Sequence, residues 1–456
     1  MKGQVLKTDL YQLTMAGAYF ARGFRDVRVT CEAFLRHLPT RRSFLVMAGV
    51  PRLVDYLADL AFTDDDIDFL HTLPALTPAL TPEFVEYLKG FRFTGDVWAA
   101  PEGAVIFADE PIVRVTAPII EAQIVETYIL SILNHAVKVA SKAARVVLAA
   151  RGRGVIEFGT RRTHDEAAVD AARAAYVAGC IGTANVEAAR RHGVPVSGTS
   201  AHMFIMAHAK KGVPPEVTER AAFADWAETY PDGQTYLVDT YDTLRGVDGA
   251  IAAAGPRLGA IRLDSGDIDA LARAARAKLD AAGLTGAKIT ASSGLEEHEV
   301  SRLVLGGAPI DSFGVGENIT EPVDAPITGI IYKVVRNETY GVDVAKISSG
   351  TKATRPGVKQ VYRRDRPEPH DLVALASETG VEGTPLLGPV IDAGRPLPLP
   401  SIAAARARCR ADLARLPGRF TEIPPDPETP EPEPYPVRIS PALEAAAHRG
   451  PTSTPR

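Results

Sequence analysis

The chain has 456 residues, 46% of them hydrophobic, which is enough length and apolar content for two or three packed domains. Its 51 Lys and Arg stand against 56 Asp and Glu, a formal net charge of -5, which excludes the basic surface of a nucleic-acid or anionic-membrane binder and points to small-molecule partners. Three cysteines, Cys31, Cys180 and Cys409, lie far apart without paired spacing, which argues against a disulfide framework or thiolate zinc site and fits a reducing cytoplasm. The opening MKGQVLKTDLYQLTMAGAYF lacks the basic and apolar regions of a secretory signal. The weakly polar stretch from Ala167 to Gly182 is interrupted by Asp170 and Arg173, well short of the ~20 apolar residues of a membrane span.

In chain order, Thr8 as N-cap and Gly23 as stop bracket an amphipathic helix carrying Leu10, Leu13, Ala16, Ala18 and Tyr19. Asp64-Asp65-Asp66 opens a short helix, and the strand-like runs Val97-Trp98-Ala99 and Ile112-Val113-Arg114-Val115 alternate with Pro-rich turns. Residues 1–120 are therefore expected to form an N-terminal α+β domain. Glu121 to Arg151 has the period of a long helix.

After Gly154 short β-branched runs are each followed by a polar turn and a helical stretch: Val155 to Phe158, Val194 to Val196, Thr235 to Val238, Ala260 to Leu263, Lys288 to Ala291 and Ile310 to Phe313. Such βα repetition predicts an α/β unit with a parallel sheet over residues 121–330, read as an irregular (β/α) barrel in preference to a doubly wound sheet. Ile331 to Val335 and Gly341 to Val344 look antiparallel, and residues 331–423 are expected to pack back on the N-terminal domain. The segment PPDPETPEPEPYP opens residues 424–456, expected as a proline-rich extended tail.

In either α/β fold, ligands bind at the carboxyl ends of the strands. There the sequence supplies GTRRTH, SGTSAH, DTYDT, DSGD, SSGLEE and GVGEN, a set suited to phosphate and sugar. Asp264 and Asp267 read either as helix caps or as carboxylates for ribose hydroxyls and Mg2+. Arg161 and Arg162 read as a solvated pair or, with Arg262, as forked donors for carboxylate or phosphate. Neither GxGxxG nor GxxxxGK[ST] occurs, which argues against Rossmann and P-loop sites.

His202 and His208 are six apart, on different faces of a helix, which disfavours a two-histidine metal site. From the residues alone His202 is either a buried structural histidine or a ring-nitrogen nucleophile for a phosphoryl donor. No strand-end turn offers the Schiff-base lysine of a barrel aldolase.

Taken together, TDLYQLTMAGAYF, EFGTRR, GTSAH, VDTYDT, IRLDSGD, SSGLEE, FGVGENI, the K-x-S and K-x-T-x-P-G-x-K strings and YPVRISPAL resemble the nicotinate phosphoribosyltransferase family in order and approximate spacing. The resemblance implies transfer of phosphoribosyl from 5-phosphoribosyl 1-diphosphate to nicotinate, a salvage step of NAD biosynthesis. The products are nicotinate mononucleotide and diphosphate, with Mg2+ and with ATP hydrolysis coupled through a phosphohistidine. It places His202 as the phosphorylated residue, Asp239 as its orienting partner, and Arg262 and Asp264 on the ribose, with Thr199 in the same GTSAH string. Gly294, Gly314 and Gly316 would lie against the 5'-phosphate, Ser293 would be among the substrate-binding residues, and Lys346, Lys352 and Lys359 would close over phosphates or form a solvated basic strand. Phe158 and Tyr11 of a neighbouring subunit would sandwich the base, making the active form a homodimer, and Arg161 would meet the substrate carboxylate. Nicotinamide-using relatives carry an acid in a Gly-Thr-Asp string where this chain reads Gly182-Thr183-Ala184, which favours nicotinate over nicotinamide; a quinolinate-using enzyme is the other alternative. Met203 follows His202 where some family members have glutamate.

Overall fold

A computed structural model of the chain describes residues 4–232, 235–347, 352–366, 368–430 and 433–449. Its contacts divide the chain into one unit of Met1–Lys138, Ile327–Phe420 and Glu431–Arg456, and another of Val139–Pro326 and Thr421–Pro430.

The first unit is built on a seven-stranded antiparallel sheet in the order Val342–Asp343, Ile330–Asn337, Arg28–Leu35, Pro111–Pro118, Asp96–Ala99, Gly388–Asp392, Arg395–Pro396. Strands from both ends of the chain thus share one sheet. A helix over Leu10–Ala21 begins one residue past Asp9, while the Thr8 hydroxyl, expected as the cap, bonds the Ile124 carbonyl at 3.1 Å. Thr63 and Asp66 form a reciprocal capping box that starts the acidic helix Asp64–His71. The expected long helix is divided into Ile119–Ile124 and Glu126–Ala149.

The C-terminal residues differ from the expected extended tail. Val437–Ile439 adds a parallel strand beside His370–Leu375, Pro441–Arg449 is helical, and the buried Tyr435 ring stacks on Phe107 with centroids 3.7 Å apart. Proline is tolerated in the first turn of a helix, where Pro441 stands, and the paired strand Val437–Ile439 contains none.

The second unit holds a six-stranded parallel sheet in the order Gly182–Thr183, Gly154–Glu157, Ser312–Val315, Lys288–Ala291, Ala260–Leu263, Thr235–Leu237. Its strands are nearly continuously buried, as helices on a parallel sheet require. The expected strand at Val194 to Val196 is reduced to a bridge between Thr183 and Val196. Beyond it, Ser200 reaches the opposite edge of the sheet: its N–H donates to Thr235 and its hydroxyl accepts from the Leu237 N–H at 3.0 Å. The segment leading to His202 therefore spans the two sheet edges.

Candidate active site

The turns after these parallel strands carry a connected polar cluster. Arg262 stands on the Ala260–Leu263 strand, where alternate residues are partly open. Its guanidinium donates to Asp264 Oδ1 at 2.7 Å, to Ser292 Oγ at 2.8 Å and to Thr199 Oγ1 at 3.2 Å, and lies 5.4 Å from the centroid of the Phe158 ring. Ser292 also donates to Asp264 Oδ1. One arginine thereby fixes three strand-end turns.

Asp239 is nine-tenths buried at the end of the Thr235–Leu237 strand, and its Oδ2 accepts the Asp264 N–H at 3.0 Å and the Ser265 hydroxyl at 2.5 Å. It orders the DSGD turn instead of touching the histidine. His202 is the first residue of a short helix, His202–Ala207, with its side chain 43% exposed. Its Nδ1 is within 3.1 Å of Thr240 Oγ1, and its Nε2 is 3.8 Å from Asp264 Oδ2, a charge contact rather than a hydrogen bond. The ring contacts of His202 are thus to Thr240 and Asp264, while Asp239 spends Oδ2 on the DSGD turn and keeps Oδ1 buried without a donor. Behind Asp239, Glu219 is buried on the Pro215–Thr229 helix and raised to about 7, first by burial and then by the charges of Asp239 and Asp242.

The two open readings of the aspartates separate here. Asp267 caps the Ile268–Ala281 helix through the Ala270 N–H, whereas Asp264 belongs to the Arg262 cluster. Arg162 is a surface partner of Glu317 at 2.9 Å, while the neighbouring Arg161 is exposed with no ion pair among the described residues. Ser293 has φ +99 and Gly294 φ +62, and both are exposed. A serine held at positive φ is strained backbone of the kind that clusters at functional sites. Asn318 clamps that turn through the carbonyls of Gly294 and Leu295 at 2.9 and 3.0 Å. Gly316 is half-buried beside Phe158. Gly314, expected against a phosphate, is instead buried beneath Phe158: a Cβ there would stand 2.5 Å from the ring. Its part is to make room for the aromatic face.

Of the two glutamates of SSGLEE, Glu297 is fully buried among cations and Glu296 is part-exposed at the edge of the same network. Lys142 contacts Glu297, reaches Asp324 at 3.1 Å and Glu296 at 3.8 Å, and Arg145 donates to Glu297 at 2.9 Å. Glu296, Glu297 and His298 lie close enough together to suggest a metal site, but the buried Lys142 and Arg145 balance the carboxylates and His298 bonds the Pro424 carbonyl at 2.8 Å. Thr240 and Ser292 lie inside the DTYDT and SSGLEE strings, and only the fold determines which residue of each string faces the cluster; the Lys142 network carries no local signal because its partners are distant in sequence.

In the other unit, Tyr11 is 49% exposed on the Leu10–Ala21 helix, and Lys352 and Lys346 are exposed. Lys359 is not: its ammonium lies 2.8 Å from Glu32, with both side chains buried in the sheet, so it does not serve as a mobile phosphate clamp. A cavity of about 490 Å3 there is lined by Arg36, His37 and Arg355 together with Asp109, which pairs with Arg355 at 3.0 Å.

Two family models match the chain, the nicotinate phosphoribosyltransferase N-terminal domain over residues 6–134 and the nicotinate phosphoribosyltransferase family over residues 154–366. The chain belongs to the nicotinate phosphoribosyltransferase family. A nicotinate phosphoribosyltransferase of Mycobacterium tuberculosis is 44% identical over 431 residues, covering 92% of this chain and 89% of that protein. That of Bacillus subtilis is 42% identical over 387 residues, covering 82% and 76%. The crystal structure of human nicotinic acid phosphoribosyltransferase matches with a TM-score of 0.82 at 27% identity, covering 97% of this chain and 99% of the human one. No helix among the described residues is long and apolar enough to cross a membrane.

Proposed function

We propose that the protein is a cytoplasmic nicotinate phosphoribosyltransferase that couples ATP hydrolysis to the reaction through phosphorylation of His202. The observation that carries this reading is the state of the His202 ring: Nδ1 is held by Thr240, and Nε2 is open beside Asp264 at the mouth of the strand-end cluster. An anchored ring with one free nitrogen is oriented for attack on a terminal phosphoryl group, and the Asp264 charge favours the cationic ring that results.

The pyridine nitrogen of nicotinate is itself a nucleophile, so transfer needs little general-base help. The site must instead orient the base, support an oxocarbenium-like ribose and release diphosphate. Phe158, backed by Gly314, offers a flat face for the base, and the exposed Arg161 offers a fork for its carboxylate. Arg262 and Asp264 form a fixed donor and acceptor pair for ribose hydroxyls, Thr199 extends that row, and the Ser293-Gly294 turn with Gly316 receives the 5'-phosphate.

The residues fit Mg2+: Asp239 keeps a buried oxygen without a donor, and Asp264 spends only Oδ1 on Arg262 and Ser292, leaving hard oxygens of the type that this ion shares with phosphates. When bound, Mg2+ would neutralise charge on the diphosphate and ATP phosphates. Tyr11, exposed on its helix, and Lys352 are read as the contributions of a second subunit in a homodimer. The parallel sheet with its Ser200 link is read as an irregular barrel.

Incubating the purified protein with phosphoribosyl diphosphate, Mg2+ and nicotinate, nicotinamide or quinolinate in turn, with and without ATP, tests the reading. It predicts mononucleotide from nicotinate, enhanced by ATP, because Ala184 presents no acid to accept an amide. Preferential use of nicotinamide or quinolinate would overturn it.

A further inference from the structure

We propose that Glu157 is a positioning residue for the pyridine pocket, its buried carboxylate tying the turn that carries Phe158 and Arg161 to the turn that carries Ala184. The inference rests on the reading above, in which Phe158 and Arg161 receive nicotinate.

Glu157 ends the Gly154–Glu157 strand and is fully buried, so it does not touch substrate. One carboxylate oxygen accepts the Gly159 N–H; the other accepts the Thr183 hydroxyl at 2.5 Å. Thr183 Oγ1 in turn accepts the Asn185 N–H at 3.0 Å, and the Glu157 carbonyl accepts the Ala184 N–H at 2.9 Å. Asn185 caps the next helix through the Ala188 N–H at 2.8 Å. The turn is also gripped from its far side, since a Cβ on Gly159 would stand 2.3 Å from the Thr320 methyl. The parallel pairing of the two strands brings Phe158 and Ala184 side by side, and the Glu157 side chain braces the two turns beyond that pairing through Gly159 and Thr183. Burial raises the Glu157 carboxyl above its usual range, and the Thr183 and Gly159 donors pull it back. A glutamine keeps the length but brings one acceptor oxygen to the two donors, the Gly159 N–H and the Thr183 hydroxyl, that the carboxylate serves with two.

The test is steady-state kinetics of Glu157→Gln, Thr183→Val and Thr183→Ser beside the wild type. Loss of a hydrogen bond to a charged group predicts a KM for nicotinate raised about tenfold in Glu157→Gln and Thr183→Val. KM for phosphoribosyl diphosphate and kcat would stay within about twofold, since the bond positions only the base pocket. Thr183→Ser, which restores the hydroxyl, would return the wild-type KM. An unchanged nicotinate KM in both bond-breaking variants overturns the proposal, as does a parallel loss in both substrates' KM and in kcat. Failure of the wild type itself to consume nicotinate would instead defeat the underlying reading.

Discussion

At the scale of single residues, two carboxylates of the strand-end cluster each spend one oxygen and keep another. Asp264 commits Oδ1 to Arg262 and Ser292 and presents Oδ2 to His202; Asp239 commits Oδ2 and keeps Oδ1. Thr240 is the residue on which the histidine's aim depends. Thr240→Val removes a hydrogen bond of about 1 kcal/mol, so the rate of His202 phosphorylation by ATP is expected to fall about fivefold with the fold intact, as single-turnover labelling would measure. Gly314→Ala puts a methyl 2.5 Å from the Phe158 ring. Overpacking of this kind costs about 1–3 kcal/mol, so the nicotinate KM should rise roughly tenfold or more, while circular dichroism stays native. The aspartates, Arg262 and His202 were visible in the sequence because their spacing from β-branched runs put them at strand ends. Which of them meet could not be read there: Asp239 and Thr240 are adjacent, and a single residue's turn decides that Thr240 faces the ring.

At the scale of elements, Ala260–Leu263 and Lys288–Ala291 match their predicted bounds because each is an apolar run stopped by a turn signal. Gly182–Thr183 escaped prediction since two residues carry no period, and Arg28–Leu35 escaped because its polar residues are satisfied from afar, Glu32 by Lys359 and Thr30 by Glu338 at 2.5 Å. The long Glu126–Ala149 helix shows the same non-local logic. Lys142 looks like a surface residue in sequence, yet its side chain is 3% exposed and faces three carboxylates. Lys142→Met removes one of the two buried cations that contact the buried Glu297 and should cost about 3–5 kcal/mol, read as a lowered urea midpoint; adding Glu297→Gln should recover part of the loss.

At the scale of the whole molecule, the unit that joins both chain ends contains a carboxyl cluster in which Glu110, Asp371 and Asp412 share one arginine, Arg363, and Tyr435 approaches Asp371 at 3.4 Å. Burial, and then the Asp371 charge, hold the Glu110 carboxyl well above its usual range. A group whose folded-state pKa is raised binds its proton more tightly when folded, so its stabilisation is complete below the ordinary carboxyl range and is lost as pH rises through the folded value. Thermal stability is therefore expected to fall across that interval, and Glu110→Gln, which cannot ionise, should flatten the profile. The same cluster explains why the C-terminal segment could not be read as folded: Tyr435 finds its partners, Phe107 and Asp371, only once distant parts of the chain are assembled.

The most direct test of the account is incubation with γ-labelled ATP and Mg2+, followed by assay for acid-labile, base-stable phosphate on wild type and on His202→Ala. Phosphorylation of His202 predicts label on wild type, none on His202→Ala, and discharge when nicotinate and phosphoribosyl diphosphate are added. An enzyme that makes nicotinate mononucleotide yet never carries label would contradict it and leave His202 a structural or electrostatic residue.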